Sequence, residues 1–480
     1  MNEASTPTRI AVVGSGPAGF YTAGHLLSDS GGLIEVDMFE RLPTPWGLVR
    51  SGVAPDHPKI KSVTRIYEKT AAHPRFRFFG HVELGKDITR SELLEHYHAV
   101  VYATGSPTDR PLGIPGEDLP GSLAATDFVG WYNAHPDFGD LDIDLSCERA
   151  VVIGNGNVAL DVARMLMLSH DELSKTDVAD HALEALEHSN VREVVVAGRR
   201  GPAQAAFTNP ELRELADLED VDVVVDAAEL DRALAVDDPN MDPTAERNVK
   251  TLREYAERGV SPAANGAGGR RRIVLRFLLS PVELRGDEGG VSEVELVRNE
   301  LHSEDSGQLR ARATDEHEVI EAGLVLRAIG YRGAPLQDVP FDERQCVIPN
   351  EQGRVTDPAS SEPRPGEYVV GWIKRGPTGV IGTNKKDAQE TVNAILEDLA
   401  AGRLPEPAKP EASALEAMLH DRKPDLVTYA GWGEIDRHER SRGEPHGRPR
   451  SKLHRIEEML RIAADAGAGE TDAEDARLTS

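Results

Sequence analysis

Apolar and polar positions along the chain follow two alternating patterns. Short, mostly apolar runs edged by glycine (RIAVVG, IEVDMFE, HAVVYATGS, RAVVIG, VREVVVAGRR) have the length and β-branched content of buried strands. Between them, FYTAGHLL and NVALDVARMLML space their apolar residues as helices do. Strands alternating with helices predict parallel sheets covered on both faces. Three further strands are expected at IVLRFLL, VSEVELVRNEL and AGLVLRAIGY. From Ala227 to Arg272 the pattern breaks into charge, proline and glycine. This stretch reads as a surface excursion with one helix near Glu246 to Arg258, flanked by flexible loops. RLPEPAKPEAS reads as a proline-rich linker, and a short helical tail with a basic knot, Arg448 to Lys452, follows it.

Two of the strand-to-helix joins carry chemistry. Gly14-Ser15-Gly16-Pro17-Ala18-Gly19 leaves a strand and opens a helix. In such a turn the first glycine permits the bend and the second lets a pyrophosphate approach the backbone. The third lets helix and strand pack closely, and the helix N-terminus offers free N–H groups to the phosphates. Glu40 ends the next strand, where an acid can accept a hydrogen bond from a ribose hydroxyl. The second join, Gly154-Asn155-Gly156-Asn157-Val158-Ala159, repeats the arrangement with alanine in the third place. Its following strand ends in Arg199 and Arg200 instead of an acid. Two arginines there suit a 2′-phosphate, which an acid would repel. The first turn is therefore expected to hold FAD and the second NADP(H), and two nucleotides in one chain imply electron transfer between them.

Composition narrows the field. The 480 residues carry 54 basic and 82 acidic side chains, a net charge of −28, which disfavours nucleic acid and anionic membrane as partners. No run approaches the ~18 apolar residues of a membrane helix, and the polar MNEASTPT start lacks the features of a signal or transit peptide. A cytoplasmic protein is expected. Only two cysteines, Cys147 and Cys346, are present and lie far apart. A C-x-x-C redox pair and cysteine-ligated clusters are thereby excluded, so redox chemistry falls to an organic cofactor.

Five long motifs point the same way: PTPWGLVRSGVAPDHPKIK, VVYATGS, IGNGNVALDVAR, AGRRGPAQAAFT and VVGWIKRGPTGVIGTNKKDA. In order and across nearly the whole length, the chain resembles the adrenodoxin-reductase-like ferredoxin–NADP⁺ reductases of mitochondria and actinobacteria. The related glutamate-synthase small subunits share the glycine motifs, but they carry N-terminal iron–sulfur cysteines that are missing here. The resemblance implies an α/β fold of two Rossmann-like dinucleotide-binding domains in the flavin-disulfide-reductase architecture. A discontinuous FAD domain would comprise residues 1–108 and 331–480, including a helical tail over 411–480. The NADP domain would fill 109–330.

The resemblance also implies roles. Besides the first glycine turn, Ser15, Glu40, Leu48, Val82, Trp372, Gly379, Val380 and Ile381 fall on FAD contacts. Arg110, Asn155, Gly156, Asn157, Val158, Arg199, Arg200, Glu211 and Gly379 fall on NADP(H) contacts. A helix expected over Thr383 to Leu399 would turn its N-terminal dipole toward the flavin. His57, held between two prolines, and Glu214, one turn beyond Glu211, match the family's histidine and glutamate near the nicotinamide and are implied as catalytic. No metal is implied.

The implied partner is a small, acidic, iron–sulfur ferredoxin. A chain at −28 should repel it, but residues 41–110 hold eleven bases and seven acids, a local +4 that can dock an acidic protein. Two other readings stay open on the sequence. One is an NADPH-dependent flavoprotein that reduces a quinone or feeds a larger enzyme. The other is a non-catalytic flavoprotein that senses nucleotides.

Overall fold

The structure is a computed structural model and describes residues 7–31, 34–235, 241–259, 270–304 and 309–465. The chain divides into two units, residues 1–108 with 331–480, and residues 109–330.

In the first unit the buried run TRIAVV becomes the central strand, Thr8–Val13, of a seven-stranded sheet. Ala99–Tyr102 pairs with it on one side and Ile34–Glu40 on the other, both parallel. Phe76–Gly80 extends the parallel part beyond Ile34–Glu40, and Pro363–Val369 extends it beyond Ala99–Tyr102. The short strands Asn350–Glu351 and Arg354–Thr356 close the latter edge antiparallel. Side chains alternate across a strand, so the sheet has two apolar faces. Ile10, Val12, Val36 and Met38 pack beneath the helices Pro17–Asp29, Thr383–Ala400 and Tyr429–Gly443. Ala11, Val13, Phe39 and Tyr102 pack with Leu415 and Leu419 of the tail helix Ala412–Arg422. The proline-rich linker is tied down as it passes. The Arg9 guanidinium donates to the Pro410 carbonyl at 3.0 Å, and the Lys409 N–H donates to the Glu95 carbonyl at 2.8 Å.

The second unit is built on six parallel strands. Their spatial order is Ser122–Ala124, Leu324–Arg327, Arg149–Ile153, Glu193–Gly198, Arg271–Phe277, Val221–Val225. Helices, among them Ala125–Tyr132, Asn157–Met167 and Pro243–Arg258, cover one face through Val152, Val194, Val196 and Leu275. The other face departs from expectation. It lies under a three-stranded antiparallel sheet, Leu279–Asp287, Gly290–Ser303 and Leu309–Glu321. Leu279, Leu284, Val294 and Leu296 of that sheet pack on Val151, Ile153, Val195 and Ala197. Within VSEVELV only Val294 and Leu296, flanking Glu295, keep the period of two that turns a strand's side chains to one face; Val291 and Val297 are buried as well. Expected as one strand, IVLRFLL breaks at Leu278, which turns at φ +58° so that the chain changes sheets.

The excursion after Ala227 holds two helices rather than one: Ala227–Leu234, capped by the Asp226 carboxylate, and Pro243–Arg258, capped by Asp242. Both begin with an aspartate that accepts N–H bonds from the first turn. The loops expected to flank the longer helix fall largely outside the described residues.

Candidate functional site: two glycine turns and their surroundings

In each unit the strand that feeds a glycine turn sits where its neighbours depart in opposite directions. Such a point leaves a crevice at the carboxyl ends of the strands.

At the first turn, Gly14 has φ +108°, and a Cβ there would stand 2.5 Å from the Ala103 carbonyl oxygen. A Cβ on Gly19 would run into the Gly14 carbonyl, so this glycine lets the helix start against the strand. Gly16 differs from both: a Cβ there meets nothing within 4 Å. It caps the helix Pro17–Asp29 with no side-chain hydrogen bond, which leaves open space before free N–H groups. Ser15 is buried, and its N–H (3.0 Å) and hydroxyl (2.6 Å) both donate to one oxygen of Glu40. The other Glu40 oxygen accepts the Leu42 N–H at 3.1 Å. Glu40 thus ties its own strand end to the turn. Val82 is buried beside it, its N–H donating 2.9 Å to the Glu40 carbonyl.

The loop after Glu40 returns to the same place. The Trp46 N–H donates to the Ser15 carbonyl at 3.0 Å, and a Cβ on Gly47 would lie 2.9 Å from the Gly16 Cα. Leu48 follows in a short helical turn and is partly exposed. Trp46 itself stands at φ +86°, a conformation costing a bulky residue about 1–3 kcal/mol. Sequence reasoning missed this residue. The only signal was its place in a Pro-Trp-Gly run.

The third side of this site comes from residues 371–387. Gly371 has φ +81°, and its Cβ position is 2.6 Å from that of Ala18, so this turn rests on the first glycine-turn helix. Its N–H donates to Asp387 at 2.5 Å, and Asp387 also pairs with buried Lys374 at 3.0 Å. Trp372 is half-buried, its ring 5.2 Å from that of Tyr331 and its indole N–H donating to the Thr378 carbonyl at 3.2 Å. Gly379 and Val380 are exposed and Ile381 is partly so, just before the helix Thr383–Ala400, whose first residue carries no side-chain cap.

At the second turn, Gly154 has φ +133° and its Cβ would collide with the Ala328 carbonyl. Gly156 is open like Gly16, with only the Ala206 methyl at 4.0 Å. It too caps its helix, Asn157–Met167, without a side-chain bond. The Asn155 carbonyl accepts the N–H groups of Ala206 (2.9 Å) and Phe207 (3.1 Å), and the Asn157 side chain accepts the Thr208 N–H at 2.8 Å. The Asn155 amide nitrogen is buried with no partner among the described residues. Val158 lines the start of the helix, half-buried. Arg110 donates its backbone N–H to Gly330, two residues beyond the carbonyl that backs Gly154.

Arg199 is exposed and Arg200 half-buried, and neither guanidinium has a carboxylate partner among the described residues. Their positions are fixed through the backbone instead: Asn299 donates to the Arg199 carbonyl at 2.9 Å, and the Leu278 N–H to that of Arg200 at 3.2 Å. Burial, and secondarily Arg199, pulls the Arg200 pKa below its ordinary value. Two adjacent cations with no carboxylate partner among the described residues suit an anion. The free helix N-termini, the open space at Gly16 and Gly156 and the paired arginines fit two dinucleotides, the second carrying an extra phosphate.

The residues implied as catalytic are built differently. His57 caps the helical turn Pro58–Lys61, half-buried, with its N–H on the Ala54 carbonyl at 3.0 Å. Glu211 and Glu214 lie on the six-residue helix Asn209–Glu214. Arg164, buried in the last turn of Asn157–Met167, reaches Glu211 at 3.6 Å and Glu214 at 3.8 Å. Glu211 is largely covered and Glu214 more open.

The local +4 counts charges that are paired as well as free. Arg50 is spent on buried Glu439, Arg77 on Asp37 and Arg90 on Glu367, while Glu92 and Glu95 of the same window are met by Arg422 and Lys409. At the surface of this stretch lie Lys59, Arg65 and Lys69, interleaved with exposed Ile60 and Ile66 and with one exposed acid, Glu68. Among the described residues no helix is long and apolar enough to cross a membrane.

Residues 8–197 match the family model described as pyridine nucleotide-disulphide oxidoreductase. The chain is 54% identical over 458 residues to the NADPH-ferredoxin reductase FprA of Mycobacterium leprae, a match spanning 94% of this chain and 98% of that one. It is 43% identical over 465 residues to the mitochondrial NADPH:adrenodoxin oxidoreductase of Salvelinus fontinalis, spanning 96% and 92%. The solved structure of Mycobacterium tuberculosis FprA in complex with NADPH shares the fold at a TM-score of 0.89 and 53% identity, covering 95% of this chain and all of that one.

Proposed function

The chain belongs to the NADPH–ferredoxin reductases of the pyridine nucleotide-disulphide oxidoreductase family, and from that premise we propose how its residues divide the work. The enzyme passes electrons between NADPH and an iron–sulfur protein by way of a flavin, FAD. When bound, FAD would supply the change from two-electron hydride chemistry to one-electron transfer.

One observation carries this reading: Arg199 and Arg200, with no carboxylate partner among the described residues, stand at the strand end where the first unit has Glu40. The first turn, Gly14, Ser15, Gly16, Ala18 and Gly19, holds the FAD pyrophosphate on free N–H groups. Glu40, already fixed by Ser15 and Leu42, accepts a ribose hydroxyl with its remaining lone pairs. Leu48, Val82, Trp372, Gly379, Val380 and Ile381 line the rest. Asn155, Gly156, Asn157 and Val158 hold the NADP(H) pyrophosphate, with the unpartnered Asn155 amide as a donor. Arg199 and Arg200 clamp the 2′-phosphate; Arg110, Glu211 and Gly379 complete the contacts. His57 serves as a hydrogen-bonding ring for the nicotinamide carboxamide. Glu214, beside Arg164, serves as a proton holder. Hydride transfer itself needs no base, so these two act mainly by positioning.

The electron acceptor is an acidic ferredoxin, and it docks on the strip of Lys59, Ile60, Arg65, Ile66 and Lys69. Exposed cations give such a strip steering and the two isoleucines give it apolar contact. A cytoplasmic location agrees with this chemistry. The test is NADPH-dependent cytochrome c reduction with and without an acidic ferredoxin, alongside anaerobic titration of the flavin. NADPH should bleach the flavin, and ferredoxin should raise the cytochrome rate severalfold. Bleaching without any ferredoxin effect would favour a quinone acceptor instead.

A further inference from the structure

The loop that touches the first glycine turn is anchored on its far side by the C-terminal segment. Trp46 meets Trp432 edge-on, ring centres 5.0 Å apart and planes at 81°. Trp432 belongs to the helix Tyr429–Gly443. The Arg450 guanidinium lies 5.7 Å over the Trp46 ring, and that of Arg50 lies 5.3 Å over Trp432. Both guanidiniums reach the Glu439 carboxylate, and that of Arg450 also lies 2.7 Å from Asp436. Arg50 binds Glu439 bidentately at 2.8 and 2.5 Å, and Arg450 reaches it at 3.1 Å. The Leu453 N–H donates to it at 2.9 Å, while the Lys452 ammonium donates to the Arg50 carbonyl at 3.0 Å. The Glu439 side chain is fully buried and that of Arg50 nearly so. Burial pushes the Glu439 carboxyl up, but Arg50, Arg450 and the Leu453 N–H outweigh it and hold the group below its ordinary value. The return of the chain onto this helix needs Gly443, where a Cβ would lie 2.6 Å from the Arg450 Cα. The basic knot of the tail is thus not a surface feature: Arg448, Arg450 and Lys452 are all buried.

Buried ion networks are poor sources of net stability, because desolvation opposes the attraction. Their geometry is directional, however, and their best-attested use is to fix one arrangement over others. Here the arrangement held is unfavourable on its own. Trp46 sits at positive φ with its N–H aimed at the Ser15 carbonyl, and Gly47 is pressed on Gly16. The backbone cost of the positive φ at Trp46 must be offset by contacts elsewhere.

We infer that Glu439 is a positioning residue: through Arg50, Arg450 and the Trp46–Trp432 pair, the C-terminal segment clamps the Trp46–Gly47 loop onto the first glycine turn and so retains the dinucleotide bound there. This rests on the assignment of FAD to that turn.

The test measures FAD dissociation from the purified holoprotein by the rise of free-flavin fluorescence, well below the melting temperature. Glu439→Gln keeps the shape and removes the charge, and should release FAD about tenfold faster. Arg450→Met leaves the bidentate Arg50 pair and should give a smaller acceleration. The control is Asp398→Asn, in a comparable network with Arg354, Tyr368 and Arg403 outside the loop and the turn. It should lower the melting temperature without hastening release. If Glu439→Gln does not fold, Arg450→Met against Asp398→Asn decides alone. Equal release rates in the clamp and control variants would overturn the clamp. Gly16→Val tests the underlying assignment separately: FAD retained in that variant would mean the turn does not hold it, whatever Glu439 does.

Discussion

Replacing Arg199 and Arg200 by alanine should collapse the preference for NADPH over NADH. In the structure neither guanidinium is neutralised by a carboxylate among the described residues, so nothing competes with a bound 2′-phosphate for them. A hydrogen bond to a charged group contributes about 1.5–3 kcal/mol. Arg199 is exposed and screened by solvent, which places it at the lower end. Arg200 is half-buried, and its own charge is disfavoured by burial and then by Arg199, so an incoming phosphate relieves more there. The double variant should therefore lose about 3–4 kcal/mol for NADPH, or roughly a hundredfold or more at 1.4 kcal/mol per decade. Arg200→Ala alone should cost more than Arg199→Ala alone. NADH, lacking the phosphate, should be affected little. The assay is kcat/KM for both nucleotides with ferricyanide as acceptor. Added salt should erode the Arg199 contribution faster, since exposed charges are screened over about 10 Å at 0.1 M. An unchanged NADPH/NADH ratio in the double variant would show that the 2′-phosphate is read elsewhere.

Gly14 and Gly16 should fail in different ways. Gly14→Ala meets the Ala103 carbonyl and a positive φ, so it should lower the melting temperature, whereas Gly16→Val has room, should fold, and should purify colourless. Ferredoxin-dependent cytochrome c reduction should fall with rising salt, and Lys59→Glu with Arg65→Glu should raise the KM for ferredoxin without slowing flavin reduction by NADPH; identical salt curves for variant and wild type would move the docking surface elsewhere. Glu92, in a capping box with Thr89, is held at about 2 chiefly by Arg422, against burial, with Thr89 adding to the pull. A depressed carboxyl stabilises only while ionised, so its contribution is complete above the unfolded value near ~4.3 and vanishes as pH falls toward about 2. Melting curves of wild type and Glu92→Gln should accordingly draw together as pH falls from about 7 to about 3, and a constant gap would contradict this.

Both glycine turns, their strands and helices, and the contrast between Glu40 and Arg199–Arg200 were legible along the chain. Each depends on residues close in sequence, where backbone angle, period and charge act locally. The need for glycine at these positions is legible in the six-residue pattern, whereas the atom that a Cβ on Gly14 would meet, the Ala103 carbonyl oxygen, comes from the end of a strand 89 residues further on. Only the tertiary structure decided the rest. The antiparallel sheet over the second unit required knowing which face of VSEVELV finds a partner. The sequence window mixes bound and free charge: Arg50, Arg77 and Arg90 meet acids 389, 40 and 277 residues away, and Glu92 and Glu95 meet bases 330 and 314 residues away. A positive count in sequence cannot show which charges are cancelled in space. Trp46 carries no local signal for a left-handed backbone. It is met by Ser15 on one side and, on the other, by Trp432 and Arg450, nearly 400 residues further along. Such contacts are set by packing and by the burial of Glu439, energies that exist only once the chain has closed on itself.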